Sequence, residues 1–252
     1  MTVDPRAATG FSTAADAYER GRPPYPRAAV ELLVHELALS PAGTILDLAA
    51  GTGKLTRQLL PFAERVVAVD PSERMLDVLR SQLPSVSASA GTADAIPLPG
   101  GSVDAVVVGE AFHWFGNAAA CREIARVLKP RGGLALLWNR SIPAASGSSW
   151  QAAVEALSAP YREAAGPFPA ERWQDAVAQS GRFDPLASAE VEHLDRTDAD
   201  GVVALVASWS WIANLPDDER AALLARVRDV VAGEAELAIR YRTEIFWTRR
   251  AP

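Results

Sequence analysis

Three aspartates, Asp47, Asp70 and Asp94, each stand close to the point where an apolar run gives out, and the first is followed by Leu-Ala-Ala-Gly51-Thr-Gly53-Lys54. Ile45, Leu46 and Leu48 read as a short buried strand, the two glycines as a tight turn, and Leu55, Leu59 and Leu60 as the apolar face of a helix. Glycines there let the backbone turn sharply and come close to a ligand, while the helix start offers unpaired N–H groups to an anionic group. Such a turn suits a nucleotide-like cofactor. The nicotinamide pattern needs a third glycine where Thr56 stands, and a phosphate-cradling loop needs glycine at Leu48 and Ser or Thr at Leu55. Both patterns fail. Asp47 closes its strand just before the turn, where a carboxylate repels a pyrophosphate and favours a cation. Asp70 ends the next apolar run, where two charge-assisted hydrogen bonds can hold a ribose diol. Its alternative, capping the following helix, competes with Ser72, which can serve as that cap.

A cofactor with an ammonium, a sulfonium and a carboxylate fits this pattern: S-adenosylmethionine. The run Asp47-Leu-Ala-Ala-Gly51-Thr-Gly53 resembles the first motif of the class I S-adenosylmethionine-dependent methyltransferases, with Ala49 where many relatives carry glycine. The resemblance continues through Ala93-Asp94-Ala95, through Gly109-Glu110-Ala111-Phe112-His113-Trp114-Phe115, and through Leu128-Lys-Pro-Arg-Gly-Gly133. It spans residues 11–139, and the Ala-Phe-His-Trp-Phe run is similar to the branch that includes trans-aconitate methyltransferase. The resemblance implies cofactor contacts at Asp47, Ala49, Gly51, Gly53, Asp70, Ala93, Asp94 and Glu110, with Asp94 accepting from the adenine amino group and Glu110 at the methionyl end. Pro71 and Met75 would border the adenine, although Met75 with Leu76 and Leu79 also makes a core face. His113 either takes a proton from an acceptor hydroxyl or amine, or only fixes its loop by a hydrogen bond.

The elements that must carry these residues follow in order. The segment 11–26, with Tyr18, Arg22 and Tyr25 and ending in Arg-Pro-Pro-Tyr-Pro, is similar to the N-terminal lid of small-molecule methyltransferases. In that likeness Arg22 holds the methionyl carboxylate and Tyr18 or Tyr25 closes the roof; a proline-stiffened connector is the plainer alternative. A helix is expected over 28–39, strands over 44–48, 65–69, 85–91, 103–108 and 134–139, and a helix over 117–128 that stops at a turn, 129–133. Beyond 141 the expected elements are a small-residue connector over 143–149, helices over 150–157, 170–180, 199–212 and 217–231, a strand over 187–194 and a closing edge strand over 241–249. The implied fold is α/β: a doubly wound, Rossmann-like, mostly parallel seven-stranded sheet with an antiparallel last strand, an N-terminal lid and a helical insertion between the last two strands. One domain is expected, with the lid and its helix at 11–40, a cofactor core at 41–140, and a C-terminal part, 141–252, bearing an acceptor-side cap at about 198–232. Tyr25, Trp114, Asn139, Arg140 and Trp211 then stand on the acceptor side. Arg140 could pair with an acceptor carboxylate or be a surface arginine, and Trp209, Trp211 and Ile212 could wall a pocket or pack as core.

Composition narrows the function class. The 252 residues are 49% hydrophobic and 22% charged, enough to bury a core, and the net charge of −6 gives no basic face for nucleic acid. The single cysteine, Cys121, excludes an internal disulfide and a cysteine-clustered metal site, and no metal is expected. No apolar run is long enough for a membrane span and no leader is evident, so a cytoplasmic protein acting on a small-molecule acceptor is expected. Monomer and homodimer remain open. The expected reaction is in-line displacement of the sulfonium methyl, with S-adenosylhomocysteine as product; the alternatives are a nicotinamide-dependent oxidoreductase and a non-catalytic binding protein of the same fold.

Overall fold

In the computed structural model, residues 15–142, 149–165 and 173–252 are described. The first residues of the expected lid, 11–14, most of the connector after Ile142, and the start of the helix expected over 170–180 lie outside them. Helix α1 (Ala15–Gly21) and α2 (Arg27–Glu36) precede β1 (Thr44–Leu48), α3 (Lys54–Leu59), β2 (Arg65–Asp70), α4 (Glu73–Gln82), β3 (Ser87–Ala90) and β4 (Val103–Gly109). Then come α5 (Phe112–Phe115), α6 (Ala118–Val127), β5 (Leu128–Ser141), α7 (Ser149–Ala165), α8 (Trp173–Gln179), β6 (Ala187–Thr197), α9 (Ala199–Ala207), α10 (Ser210–Ala213), α11 (Asp217–Val231) and β7 (Leu237–Arg249). Among the described residues no helix is long and apolar enough to cross a membrane.

The seven strands form one sheet in the order β3-β2-β1-β4-β5-β7-β6. β1 to β5 run parallel to one another, and β7 is antiparallel to both β5 and β6. Continuous apolar runs such as Val106-Val107-Val108 are what a parallel sheet covered on both faces requires. Alternate side chains go to opposite layers. Leu46, Val106 and Leu136 meet Ile124 of α6 and Val177 of α8, whereas Ile45, Val107 and Leu137 meet Val30 and Leu33 of α2 and Leu59 of α3. A third apolar cluster joins α7, α9, α10 and α11 to the first half of β7. Local caps fix the helix starts: Asn117 accepts from the amides of Ala119 and Ala120, and Asp198 from that of Gly201.

Three expectations need correction. The segment 241–249 is part of an interior strand, not an edge; the edge on that side is β6, about half of whose side chains stay exposed. Alternation along β7 reports one buried face and says nothing of which strand lies outermost. The turn expected over 129–133 lies inside β5: Val103 pairs with Leu128 but Ala105 with Gly133, so the intervening residues loop out with Arg131 at φ 63°. The helix expected over 199–212 breaks at Ser208 and Trp209, because Trp209 is extended (ψ 129°) and the Ser208 hydroxyl donates back to the Leu205 carbonyl.

Candidate functional site

The carboxyl ends of β1 to β5 share one edge of the sheet, and the chain turns there generate the site. After β1 the backbone passes through Ala49 (φ 59°), Gly51 (φ 57°) and Gly53 (φ 87°). The amides of Ala49 and Ala50 both donate to the Val69 carbonyl, which holds the turn against β2. A Cβ on Gly51 would meet nothing within 4 Å, so this backbone is open to a ligand; at Gly53 it would strike Leu79 at 2.9 Å, so that glycine serves helix packing.

Asp70, almost wholly buried at the tip of β2, accepts from the Gly51 amide (2.9 Å) and the Ser72 amide (2.8 Å). Burial pushes its carboxyl up to about 6 against those two hydrogen bonds. Asp47 is 1% exposed, and its Oδ2 accepts from the Thr56 hydroxyl at 2.6 Å. Burial pushes it up to about 7. Asp47 therefore sits buried beneath the turn, with its carboxylate on Thr56. Asp94 stands past β3 with its carboxylate on the Thr92 hydroxyl (2.6 Å), which holds it below the usual range.

Two cavities open along this edge among the described residues. The smaller, about 80 Å³, is lined by Ala49, Pro71, Ala93, Asp94 and Trp114, so five expected residues converge, and Trp114 lines this cavity and not the larger one. Met75, expected at its border, is buried on α4 and lines neither cavity. The larger, about 380 Å³, is lined by Tyr18, Arg22, Tyr25, Lys54, Glu110 and Asn139 at the sheet edge, and by Trp150, Trp209, Trp211 and Tyr241 farther out. Glu110 holds φ 59°, a strained conformation for a side-chain-bearing residue. Its Oε1 accepts from the Asn139 amide, and burial raises its carboxyl above the ordinary value, opposed chiefly by Arg22.

Helix α1 roofs the glycine turn. Its Glu19 accepts from the Thr52 hydroxyl at 2.6 Å and lies 3.9 Å from Lys54 Nζ. Arg22 turns the other way: its Nε donates to the Ser208 hydroxyl (2.9 Å), its Nη2 to the Ser208 carbonyl (3.2 Å), and its guanidinium lies over the Tyr18 ring. It ties the lid to the α9–α10 break while still lining the larger cavity beside Glu110. Burial pushes the Tyr18 hydroxyl up to about 12 and that of Tyr25 well above its ordinary value, so both keep their protons.

The remaining candidates separate. His113 accepts at Nδ1 from Trp138 Nε1 (3.1 Å), and burial lowers it to about 4. It lines neither cavity, so the geometry supports loop fixation over proton abstraction. Arg140 pairs with Glu244 at 3.2 Å, stands half exposed and lies outside both cavities. Of the three candidate wall residues, Trp209 and Trp211 line the larger cavity, whereas Ile212 is fully buried. Lys54, Glu19, Trp150 and Tyr241 were not singled out from the sequence. The first adjoins the glycine turn and Glu19 sits between two site residues, which were usable signals; Trp150 and Tyr241 lie where no motif marks them.

A family model described as a methyltransferase domain matches residues 46–136. Uncharacterized methyltransferases from Mycobacterium bovis and Mycobacterium tuberculosis are 40% identical over 228 residues, covering 90% of this chain and 88% of theirs. A methyltransferase-like protein from Schizosaccharomyces pombe is 32% identical, covering 96% of both chains. Among solved structures, a candidate type II methyltransferase from Anaeromyxobacter dehalogenans superposes with TM-score 0.63 at 25% identity, over 90% of this chain and 97% of that one.

Proposed function

This chain belongs to the class I S-adenosylmethionine-dependent methyltransferases, and from that premise we propose that it methylates a small molecule seated in the larger cavity. The cofactor supplies an electrophilic methyl on a sulfonium. The residues present fit it: an open glycine turn, two buried carboxylates with raised proton affinity that a cation would relieve, and a small cavity edged by Asp94 and Pro71. In this reading Asp70 holds the ribose, Ala93 and Asp94 the adenine, and Ala49, Gly51 and Lys54 the methionyl end, with Glu110 at the border between cofactor and acceptor. In the same reading the lid and the α9–α11 cap together enclose the acceptor.

The observation that carries the reading is the pairing of two cavities on one sheet edge, the acidic small one at β1–β3 and the aromatic large one at β4–β5. Positioning and exclusion of water can supply about 7–11 kcal/mol of the barrier reduction. The net charge of −6 supports a reading without nucleic acid, and a cytoplasmic setting belongs to the same reading. Calorimetry with S-adenosylhomocysteine tests it: Asp70→Ala abolishes measurable binding, while Asp94→Ala weakens it about tenfold. Wild-type affinity in Asp70→Ala would remove the ribose assignment.

A further inference from the structure

The larger cavity has a charge balance and a wall composition that say what enters it. Each of the three cations among its described lining residues already has an answering group. Arg22 donates to Ser208, Lys54 lies near Glu19 with Asp195 also acting on it, and Arg162 pairs with Glu155 at 3.2 Å. Among the described lining residues the Arg22 charge is turned towards Glu110, so no cation is left unanswered for a carboxylate or phosphate, and Glu110 and Glu155 would repel one. The outer walls are aromatic and aliphatic: Trp150, Trp209, Tyr241, Leu205, Val206 and Ile239. Broad flat faces of this kind favour a planar apolar guest.

The inner end is different. There Tyr18, Tyr25, Asn139 and Glu110 meet, and only one of them can take up a proton. The tyrosines hold theirs, and the Asn139 side-chain oxygen already accepts from the Thr243 hydroxyl at 2.6 Å. The Glu110 carboxylate is anchored through one oxygen on the Asn139 amide, and its strained backbone keeps it at the rim of β4.

We propose that the acceptor is an uncharged, planar, largely apolar ring compound bearing a hydroxyl, and that Glu110 is the base that takes the hydroxyl proton. The inference rests on the reading that the acceptor occupies the larger cavity beside bound cofactor. The O–H bond breaks towards the Glu110 carboxylate, and the oxygen forms a new bond to the methyl carbon. The electron pair of the broken methyl–sulfur bond stays on the leaving thioether. The charged and titratable groups facing Glu110 are Tyr18 from α1, Arg22 and Tyr25 after it, Arg140 from β5, and Tyr241 and Glu244 from β7.

The test uses the whole chain saturated with S-adenosylhomocysteine and titrated calorimetrically with 2-naphthol and, separately, 2-naphthoate. Naphthol is expected to bind about tenfold tighter or more, because the carboxylate meets no unanswered cation and lies near Glu110. Trp150→Leu and Trp209→Leu each weaken naphthol about three- to tenfold while S-adenosylhomocysteine affinity holds. With S-adenosylmethionine, Glu110→Gln is expected to keep both affinities within about threefold, lower naphthyl methyl ether formation about a hundredfold or more, and remove the acid limb of the rate profile. Equal or tighter naphthoate binding, no naphthol binding, or wild-type ether formation by Glu110→Gln overturns the proposal. Failure of S-adenosylhomocysteine itself to bind overturns the cofactor reading beneath it.

Discussion

Gly21 in the lid helix lies against the backbone of Leu205 in α9 so closely that a Cβ on it would stand 2.1 Å from the Leu205 amide nitrogen. One turn of chain therefore carries three contacts between lid and cap: Arg20 to Asp198 and Asp200, Gly21 to Leu205, and Arg22 to Ser208. The roof over the glycine turn and the roof over the larger cavity are fastened together. Gly21→Ala must prise them apart, at a cost of about 1–3 kcal/mol in urea unfolding, with weaker S-adenosylhomocysteine binding because Glu19 leaves Thr52. Arg20→Ala, which removes only exposed pairs, costs about 0–1 kcal/mol.

Ala49 occupies the left-handed region (φ 59°) in the turn that must stay open to the cofactor. A side-chain-bearing residue there carries a penalty of about 1 kcal/mol that glycine escapes. Ala49→Gly is expected to raise the urea midpoint or leave it unchanged despite the looser unfolded chain, whereas Ala49→Val lowers it. A clear loss of stability in Ala49→Gly would show that the turn is not strained in solution.

Cofactor binding should release protons. With Asp47 near 7 and Asp70 near 6, both above the unfolded value of about 3.9, the folded ligand-free chain holds more protons than the unfolded chain between these limits. Its stability is accordingly greatest below about pH 4 as far as these two groups go, and that contribution is lost as pH rises through 6 to 7. A sulfonium and an ammonium beside them favour the carboxylates. At pH 6, binding enthalpies of S-adenosylmethionine measured in buffers of different ionisation enthalpy should therefore show net proton release, larger than for uncharged-sulfur S-adenosylhomocysteine. Asp47→Asn reduces that release and raises the melting temperature of the ligand-free chain at pH 8. Buffer-independent enthalpies would contradict the buried, protonated description of this pair.

His113→Ala separates the two roles weighed for that ring. It strips the acceptor from the Trp138 indole N–H and is expected to cost about 1–3 kcal/mol of stability. The acid limb of the rate profile should keep its midpoint, since the ring is held neutral by burial and bonded to Trp138. Disappearance of that limb would return the proton to His113.

Much of the sheet was legible because a parallel core strand buries both faces and must be a short unbroken apolar run, as Val66-Val67-Ala68-Val69 is. The glycine turn was legible for a similarly local reason: few residues other than glycine accept its backbone angles. The long-range facts were not. Nothing in Arg22 or its neighbours announces that it reaches Ser208 across the fold, nor in Arg140 that Glu244 answers it. The position of β7 was equally hidden, since a period-two pattern records which side chains are covered but not what covers the strand edges. That Trp114 lines the smaller cavity was hidden too, because a short helix, α5, redirects the chain just past β4.

β7 emerges from the ribosome after every other strand, yet it is the one that joins β6 to the rest. Until it arrives, β5 offers an unmet ladder, β6 has no neighbour, and the apolar faces of α9 and α11 lack the floor that Leu237, Ile239 and Tyr241 provide. A nascent chain can thus shape the β1–β4 half early, while enclosure of the larger cavity must wait for synthesis to pass Arg249. Ribosome-stalled intermediates ending before Leu237 should be the aggregation-prone species, with β5 as the exposed seam.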